Sequence, residues 1–272
     1  MKATIYEPEN DTLPRINLFE LWDYRELIYF LTLRDIQIRY KQTILGIAWA
    51  VLQPLLSMII FSLVFGHLAK LPSDGPYPVF AFAGLLPWQL FAGALSRAGS
   101  SLVTNRNLLT KVYFPRIVIP ISATLAGLVD FAISFVFLII LMAIYGIHLT
   151  TAIMALPLLI LLALLTALGV GLWISALNVQ YRDFEHALPF MIQAWMYASP
   201  VVYSTSLIPK GIWQILYGLN PLAGVIQGFR WSLLGGEPPS GLFWVSVLVV
   251  FLIIISGLIY FRRMEDNFAD II

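Results

Sequence analysis

Asp130 is the one acidic residue that falls well inside an apolar stretch of this sequence. A carboxylate at the centre of a helix in hydrocarbon costs about 2.5–3.5 kcal/mol. Two chemistries follow. The residue is a relay for a proton or cation, or it is an acid packed between helices and satisfied by a hydroxyl, an amide or a proton. A relay ordinarily needs a second ionisable group at the same depth; none is evident, which favours the second reading. Nucleotide chemistry has no footing either. A phosphate-cradling P-loop needs Gly-Lys followed by Ser or Thr, and none of the five lysines follows a glycine. His67, His148 and His186 lie far apart without ligand spacing, and the chain has no cysteine, so no catalytic residue, metal site or cofactor is expected here. Any ATP hydrolysis, with its Mg, must occur on another polypeptide.

Cations and aromatic rings remain. Arg34, Arg39 and Lys41 are candidates to bind an anionic lipid head group, specifically a diphosphate; plain topological charge is the competing reading. Trp49, Phe190, Trp195, Tyr197 and Tyr203 are candidates to line a passage, because apolar sugar faces stack on aromatic rings. Ordinary helix packing is the alternative for each. Trp88 and Trp244 fit interfacial anchors. Two polar loops, 100–116 and 178–186, have the length and the aromatic-plus-basic character to dock a soluble partner.

These residues hang on six apolar stretches, at roughly 44–66, 77–96, 117–147, 152–177, 187–205 and 242–261. A hydrocarbon core of about 30 Å needs about 20 apolar residues per helix, so the third stretch is long enough to require a tilt, a bend or emergence. Hydrophobic residues make up 60% of the 272 and charged residues 11%, far from the quarter or so charged that soluble domains carry. Lysines and arginines collect in alternate gaps. With a cytoplasmic N-terminus, 13 of the 16 lie inside, and only Lys70, Lys210 and Arg230 lie outside. Juxtamembrane positive charge sets orientation. The expectation is an all-α, six-span membrane protein with both termini cytoplasmic, divided into a tail and interface helix (1–43), a six-span transmembrane domain (44–261) and a short tail (262–272). The first apolar stretch sits behind a polar, acidic start and should remain a span. Membrane lipids are expected partners and nucleic acid is not.

Asn17 followed by Glu20 resembles a capping box, opening an amphipathic helix over about 17–33. Tyr24, Leu27, Ile28 and Leu31 share one face of it, and Ile36–Lys41 alternates like a strand, which predicts a break there. The inner connection is placed at Arg97–Arg116. Residues 206–241 are apolar but broken by Pro and Gly. Asn220-Pro221 marks a helix start and Gly235 its end. Such a helix is too short to cross, so two short re-entrant helices are expected between spans five and six. Gly224 and Gly228 form a weak small-xxx-small signal for close packing.

Seven stretches taken together resemble one family: RDIQIRYKQTILGIAWAVLQPL (34–55), LLPWQLF (85–91), SLVTNRNLLTKVYFPRIVIP (101–120), LVDF (128–131), YRDFEHALPF (181–190), WMYASPVVY (195–203) and LNPLAGVIQGFRWSLLG (219–235). They are similar, in matching order, to the membrane subunit of type-2 ABC exporters for polysaccharides, which carry O-antigen (Wzm-type permeases), capsule or teichoic acid. The resemblance implies a homodimer in the bacterial inner membrane, paired with two copies of a separately encoded ATPase, and a polyprenyl-diphosphate-linked glycan as cargo. It implies that the inner loops receive the ATPase stroke, with Arg106, Asn107, Lys111, Tyr113, Phe114, Arg182 and Asp183 as candidate contacts. It also implies gating helices at 206–236. It gives Asp130 no role. The alternatives are a type-2 exporter of a drug or simple lipid, an ion-coupled transporter using Asp130, and a membrane transferase, which the isolated acids argue against.

Overall fold

Backbone N–H and C=O groups in hydrocarbon find no water, and a helix satisfies them within one segment. The computed structural model describes residues 18–41, 46–73, 75–112, 114–181, 183–209, 211–235, 238–239, 241–265 and 268, and no strand occurs among the described residues. The α-helices among them are α1 (Leu18–Asp23), α2 (Arg25–Tyr40), α3 (Gly46–Phe61), α4 (Tyr77–Thr104), α5 (Arg106–Lys111), α6 (Val118–Leu125), α7 (Gly127–Ile144), α8 (Leu156–Gln180), α9 (Asp183–Tyr197), α10 (Ile212–Gly218), α11 (Pro221–Leu234) and α12 (Gly241–Glu265).

Among the described residues, five segments are long and apolar enough to cross a membrane: Ala48–Leu68, Tyr77–Thr104, Val118–Ile144, Thr151–Gln180 and Phe243–Glu265. The sixth predicted stretch, 187–205, is represented by α9. Its 15 residues reach about 22 Å at ~1.5 Å per residue, short of a ~30 Å core. Pro200 has no amide donor to continue the helix, and a residue before proline is disfavoured in helical geometry. The chain tightens instead, and Val201 N donates to Ser199 O at 2.7 Å.

Three boundaries differ from the sequence expectation. The second span does not stop at 96: α4 continues to Thr104, which draws Arg97 out of the expected inner connection and into the helix. The long third stretch is interrupted at a single residue, Ala126, between α6 and α7; the dihedrals there stay helical (φ −57°, ψ −24°), and Val118–Ile144 runs on as one span. At that interruption Arg97 Nε donates to Ala123 O at 3.2 Å, an inserted side chain of the kind that interrupts a helix ladder. Finally, α2 does not break near residue 36 but runs to Tyr40. Tertiary partners for Arg39 and Tyr40 override the local alternation. The predicted start at Asn17 lies outside the described residues. The face carrying Tyr24, Leu27, Ile28 and Leu31 packs beside α6, in a cluster with Ile117, Val118 and Ile119.

Helix α4 is the central post. Of its apolar window 78% is buried, against 11% for the α3 segment, so α3 stands at the rim. Helices α8 and α12 cross where Gly169 meets Gly257. A Cβ on Gly257 would lie 2.3 Å from Gly169 O. Nearby Trp173 stacks on Tyr260 at 4.0 Å. Gly224 lies against Ser246 of α12 and Gly228 against Leu159 of α8, so both allow close helix contact. The α11 boundaries match the sequence reading: Asn220 Oδ1 accepts from Leu222 N at 3.1 Å, and Gly235 takes φ +79° at the C-terminal end.

Gly257→Leu should push α12 off α8 and destabilise the fold by about 1–3 kcal/mol, the usual cost of overpacking. The readout is a lower unfolding temperature in detergent. Gly241→Ala, where nothing lies within 4 Å, should leave that temperature nearly unchanged.

Candidate functional site: a charged cleft between four helices

Helices α3, α4, α7 and α9 enclose a cleft of about 370 Å³. Trp49, Gln53 and Ser57 of α3 form one wall, and Pro189, Ile192 and Gln193 of α9 another; Trp88, Gln89 and Arg97 of α4 with Asp130, Phe131 and Ser134 of α7 form the floor. Arg39 reaches in from the end of α2. The cleft is mostly apolar, with charge gathered at one place.

That place is the Asp130 carboxylate. Arg39 Nη1 stands 2.7 Å from Asp130 Oδ2, and Arg97 Nη1 stands 3.7 Å from the same oxygen. The Tyr40 hydroxyl donates to Asp130 Oδ1. Three residues from two other helices therefore converge on one acid of α7. Burial first, and then the carboxylate that accepts its proton, push the Tyr40 hydroxyl up to about 12, so it remains a donor at neutral pH. Arg97 is seated between glycines: a Cβ on Gly127 would fall 2.1 Å from its Nη2, and one on Gly93 3.2 Å from its Nη1. Gly127 opens α7, so the interruption, the missing side chain and the guanidinium occupy one spot. Ser134 Oγ, donating to Ala50 O at 2.7 Å, ties α7 to α3 beside them.

Arg97 answers the question the sequence left open at Asp130. The acid is satisfied by a hydroxyl and two guanidinium groups, and the second ionisable group at its level, which the sequence did not disclose, is Arg97. Its signal was its position directly after the 77–96 apolar stretch, where one more helical turn carries it inward.

The candidate residues divide by location. Trp49 lies in the cleft with Arg39. Trp195 does not line it; its ring meets Phe91 edge-on at 5.0 Å and its indole N–H donates to Asn220 Oδ1 at 3.0 Å. Phe190 and Tyr197 stand exposed on α9. The Tyr203 hydroxyl donates to Tyr197 O at 3.3 Å and accepts from Tyr217 at 2.7 Å. Arg34 turns away from the cleft, pairing with Asp35 at 2.7 Å and donating to Asn105 Oδ1 at 2.7 Å. Lys41 is exposed. Arg106, Asn107 and Lys111 are exposed on α5, and Asp183 is exposed at the start of α9. Phe114 is buried, so it anchors its loop to the bundle. Tyr113 and Arg182 lie outside the described residues.

Residues 26–234 match the family model described as ABC-2 type transporter. The chain belongs to the ABC-2 type transporter family. It is similar along nearly its whole length to the O-antigen export system permease protein RfbA of Myxococcus xanthus, at 32% identity over 92% of this chain and 97% of that one. A Klebsiella pneumoniae protein of the same name is 30% identical over 95% and 98% of the two chains. The Escherichia coli polysialic acid transport protein KpsM is 25% identical over 87% and 92%.

This ABC-2 chain holds a second polar centre, which the sequence marked only as outside charge. Arg230 of α11 is 7% exposed. Its guanidinium donates to four carbonyls: Phe80 O at 3.3 Å, Pro200 O at 2.7 Å, Tyr203 O at 3.1 Å and Val201 O at 2.7 Å. It also lies 3.6 Å from the centre of the Phe80 ring. Gly84 leaves the room, since a Cβ there would stand 2.6 Å from Arg230 Nη2. Asn220 extends the centre, donating to Ala198 O at 3.1 Å and Ser199 Oγ at 2.9 Å.

Arg230→Met should strip these carbonyls of their donor and cost at least about 3 kcal/mol, since each buried group left unpaired costs about 1–3. Loss of monodisperse protein on size-exclusion chromatography is the expected result. Arg230→Lys, which keeps charge but loses the planar fork, should fall between.

Proposed function

We propose that this chain is the membrane permease subunit of an ATP-driven exporter that moves a polyprenyl-diphosphate-linked polysaccharide, of O-antigen, capsule or teichoic acid type, across the bacterial inner membrane. The observation that carries the reading is similarity over nearly the full length to O-antigen and polysialic acid export proteins. Membership in the ABC-2 family implies an ATPase partner.

Finer features follow as part of the proposal. Two copies of the chain associate with two copies of the ATPase. Each copy crosses six times with both ends cytoplasmic, α9 and the turn after it making the fifth crossing, as the 13-to-3 distribution of basic residues supports. Helices α10 and α11 form re-entrant elements at the outer mouth. The exposed α5 residues Arg106, Asn107 and Lys111, together with Asp183, take the ATPase stroke, and Tyr113 and Arg182 belong to the same loops. Closure of the ATPase pair moves α5 and the start of α9, and α9 then shifts against α3. Between those helices lies the cleft, where Arg39 receives the diphosphate and Trp49 offers a sugar-stacking face. Arg34 and Lys41 add positive charge at the membrane surface, and Phe190, Trp195, Tyr197 and Tyr203 contribute aromatic surface beyond it. The mixture suits the cargo: a cation for the anionic head, apolar walls for the isoprenoid, and rings on which sugars slide without tight sites.

Vesicles holding this chain and its ATPase, loaded with a fluorescent polyprenyl-diphosphate oligosaccharide, provide the test. ATP should move the glycan to the opposite leaflet, where an added glycosidase reaches it. Removing the ATPase or replacing its hydrolytic carboxylate should abolish movement. Uphill transport by the chain alone under a proton or sodium gradient would contradict the proposal. Movement of a glycan-free lipid at equal rate would replace its cargo.

A further inference from the structure

Asp130 holds in the cleft the two guanidinium groups that an incoming phosphate ester would need. Carboxylates and phosphates engage the same planar fork of an arginine. Arg39 is 2.7 Å from the carboxylate and Arg97 3.7 Å, so both are oriented on an anion already. With Tyr40 neutral, the cluster carries two positive charges and one negative. A net positive charge therefore faces a cleft walled by Trp49, Trp88 and Phe131. Nothing about Arg97 suggests a surface cation: its Nε is fixed on Ala123 O, its Nη2 lies against Gly127, and its Nη1 is turned to Asp130 at the cleft. A guanidinium anchored on one side, with a donor still directed at an anion, is the form expected of a binding residue.

Resting on the export reading, we infer that Arg39 and Arg97 form a diphosphate-binding pair and that Asp130 is its built-in placeholder, an internal anion that cargo must displace. A diphosphate carries more charge than a carboxylate and can span both arginines at once. When it does, the Asp130 carboxylate loses Arg39, and with it the ion pair between α2 and α7. Binding of the head group and loosening of the end of α2, which keeps its Tyr40 hydrogen bond to Asp130, are then one event. Asp130 thus weakens the resting affinity of the site and confines it to ligands with enough charge to compete.

The test uses the purified full chain in nanodiscs and equilibrium binding of radiolabelled farnesyl diphosphate, beside farnesyl monophosphate and inorganic pyrophosphate. Wild type should bind farnesyl diphosphate saturably and the monophosphate less tightly. Asp130→Asn should bind the diphosphate about 10-fold tighter, and Arg97→Gln about 10-fold weaker, the size of one charge-assisted contact. Arg106→Gln, on exposed α5, should match wild type. Unchanged or weaker binding by folded Asp130→Asn would overturn the placeholder. Should that variant fail to fold, Tyr40→Phe loosens Asp130 without removing it; a gain of about 2–3-fold supports the inference, and no gain overturns it. Equal affinity for inorganic pyrophosphate would overturn the lipid-linked assignment and leave a site for soluble diphosphate. None of these outcomes depends on transport, so the placeholder can fail while ATP-driven export in vesicles stands, and the reverse.

Discussion

A carboxylate inside an apolar bundle must be paired, because leaving it bare in a low-dielectric setting costs more than any local packing returns. Asp130 meets that demand with Arg39, Arg97 and Tyr40, and much of the surrounding architecture follows. The end of α2 is drawn against α7, so a segment whose sequence alternates like a strand stays helical through Tyr40. Arg97 has to pass a backbone to reach the acid. Gly127 provides the gap, next to the one-residue interruption at Ala126. Removing a partner from such a cluster exposes an uncompensated charge, so the cleft floor is cross-linked by ion pairs while its walls, α3 and α9, remain largely exposed.

Helix α4 connects this charge cluster to the second polar centre. Arg97 lies toward its C-terminal end, and the Phe80–Gly84 segment that receives Arg230 lies toward its N-terminal end. The separation is about 25 Å at ~1.5 Å per residue. Around Arg230 the carbonyls freed by the non-helical turn at Pro200–Tyr203 regain donors, which keeps irregular backbone satisfied next to a helical core. One arginine stabilises the turn that ends α9; the other defines the cleft that α9 lines. Helix α4, buried almost throughout, holds the two in register.

Periodic apolar stretches made five long helices legible, and punctuation made α11 legible almost to the residue, because Asn220, Pro221 and Gly235 act through local geometry. Tertiary effects were not legible. The interruption at Ala126 depends on Arg97 arriving from another helix, and the extension of α2 depends on Asp130, ninety positions along the chain from Tyr40. At the site, Arg39 and Trp49 are read from the sequence and meet in the cleft, whereas Arg34 is taken up by Asp35 and Asn105 and Trp195 by Phe91 and Asn220. Residue type revealed what each side chain can do; which of them face one another depended on helix rotation, which an all-round apolar helix such as α8 does not encode.

The claim at the centre is that Asp130 fastens the C-terminal turn of α2 to the bundle. Amide hydrogen exchange on Asp130→Asn, resolved by peptide and compared with wild type in the same nanodiscs, addresses it most directly. The account predicts faster exchange confined to Ile36–Tyr40 and the first turn of α7, with the buried centre of α4 unchanged. Wild-type protection of Ile36–Tyr40 in the folded variant would contradict it.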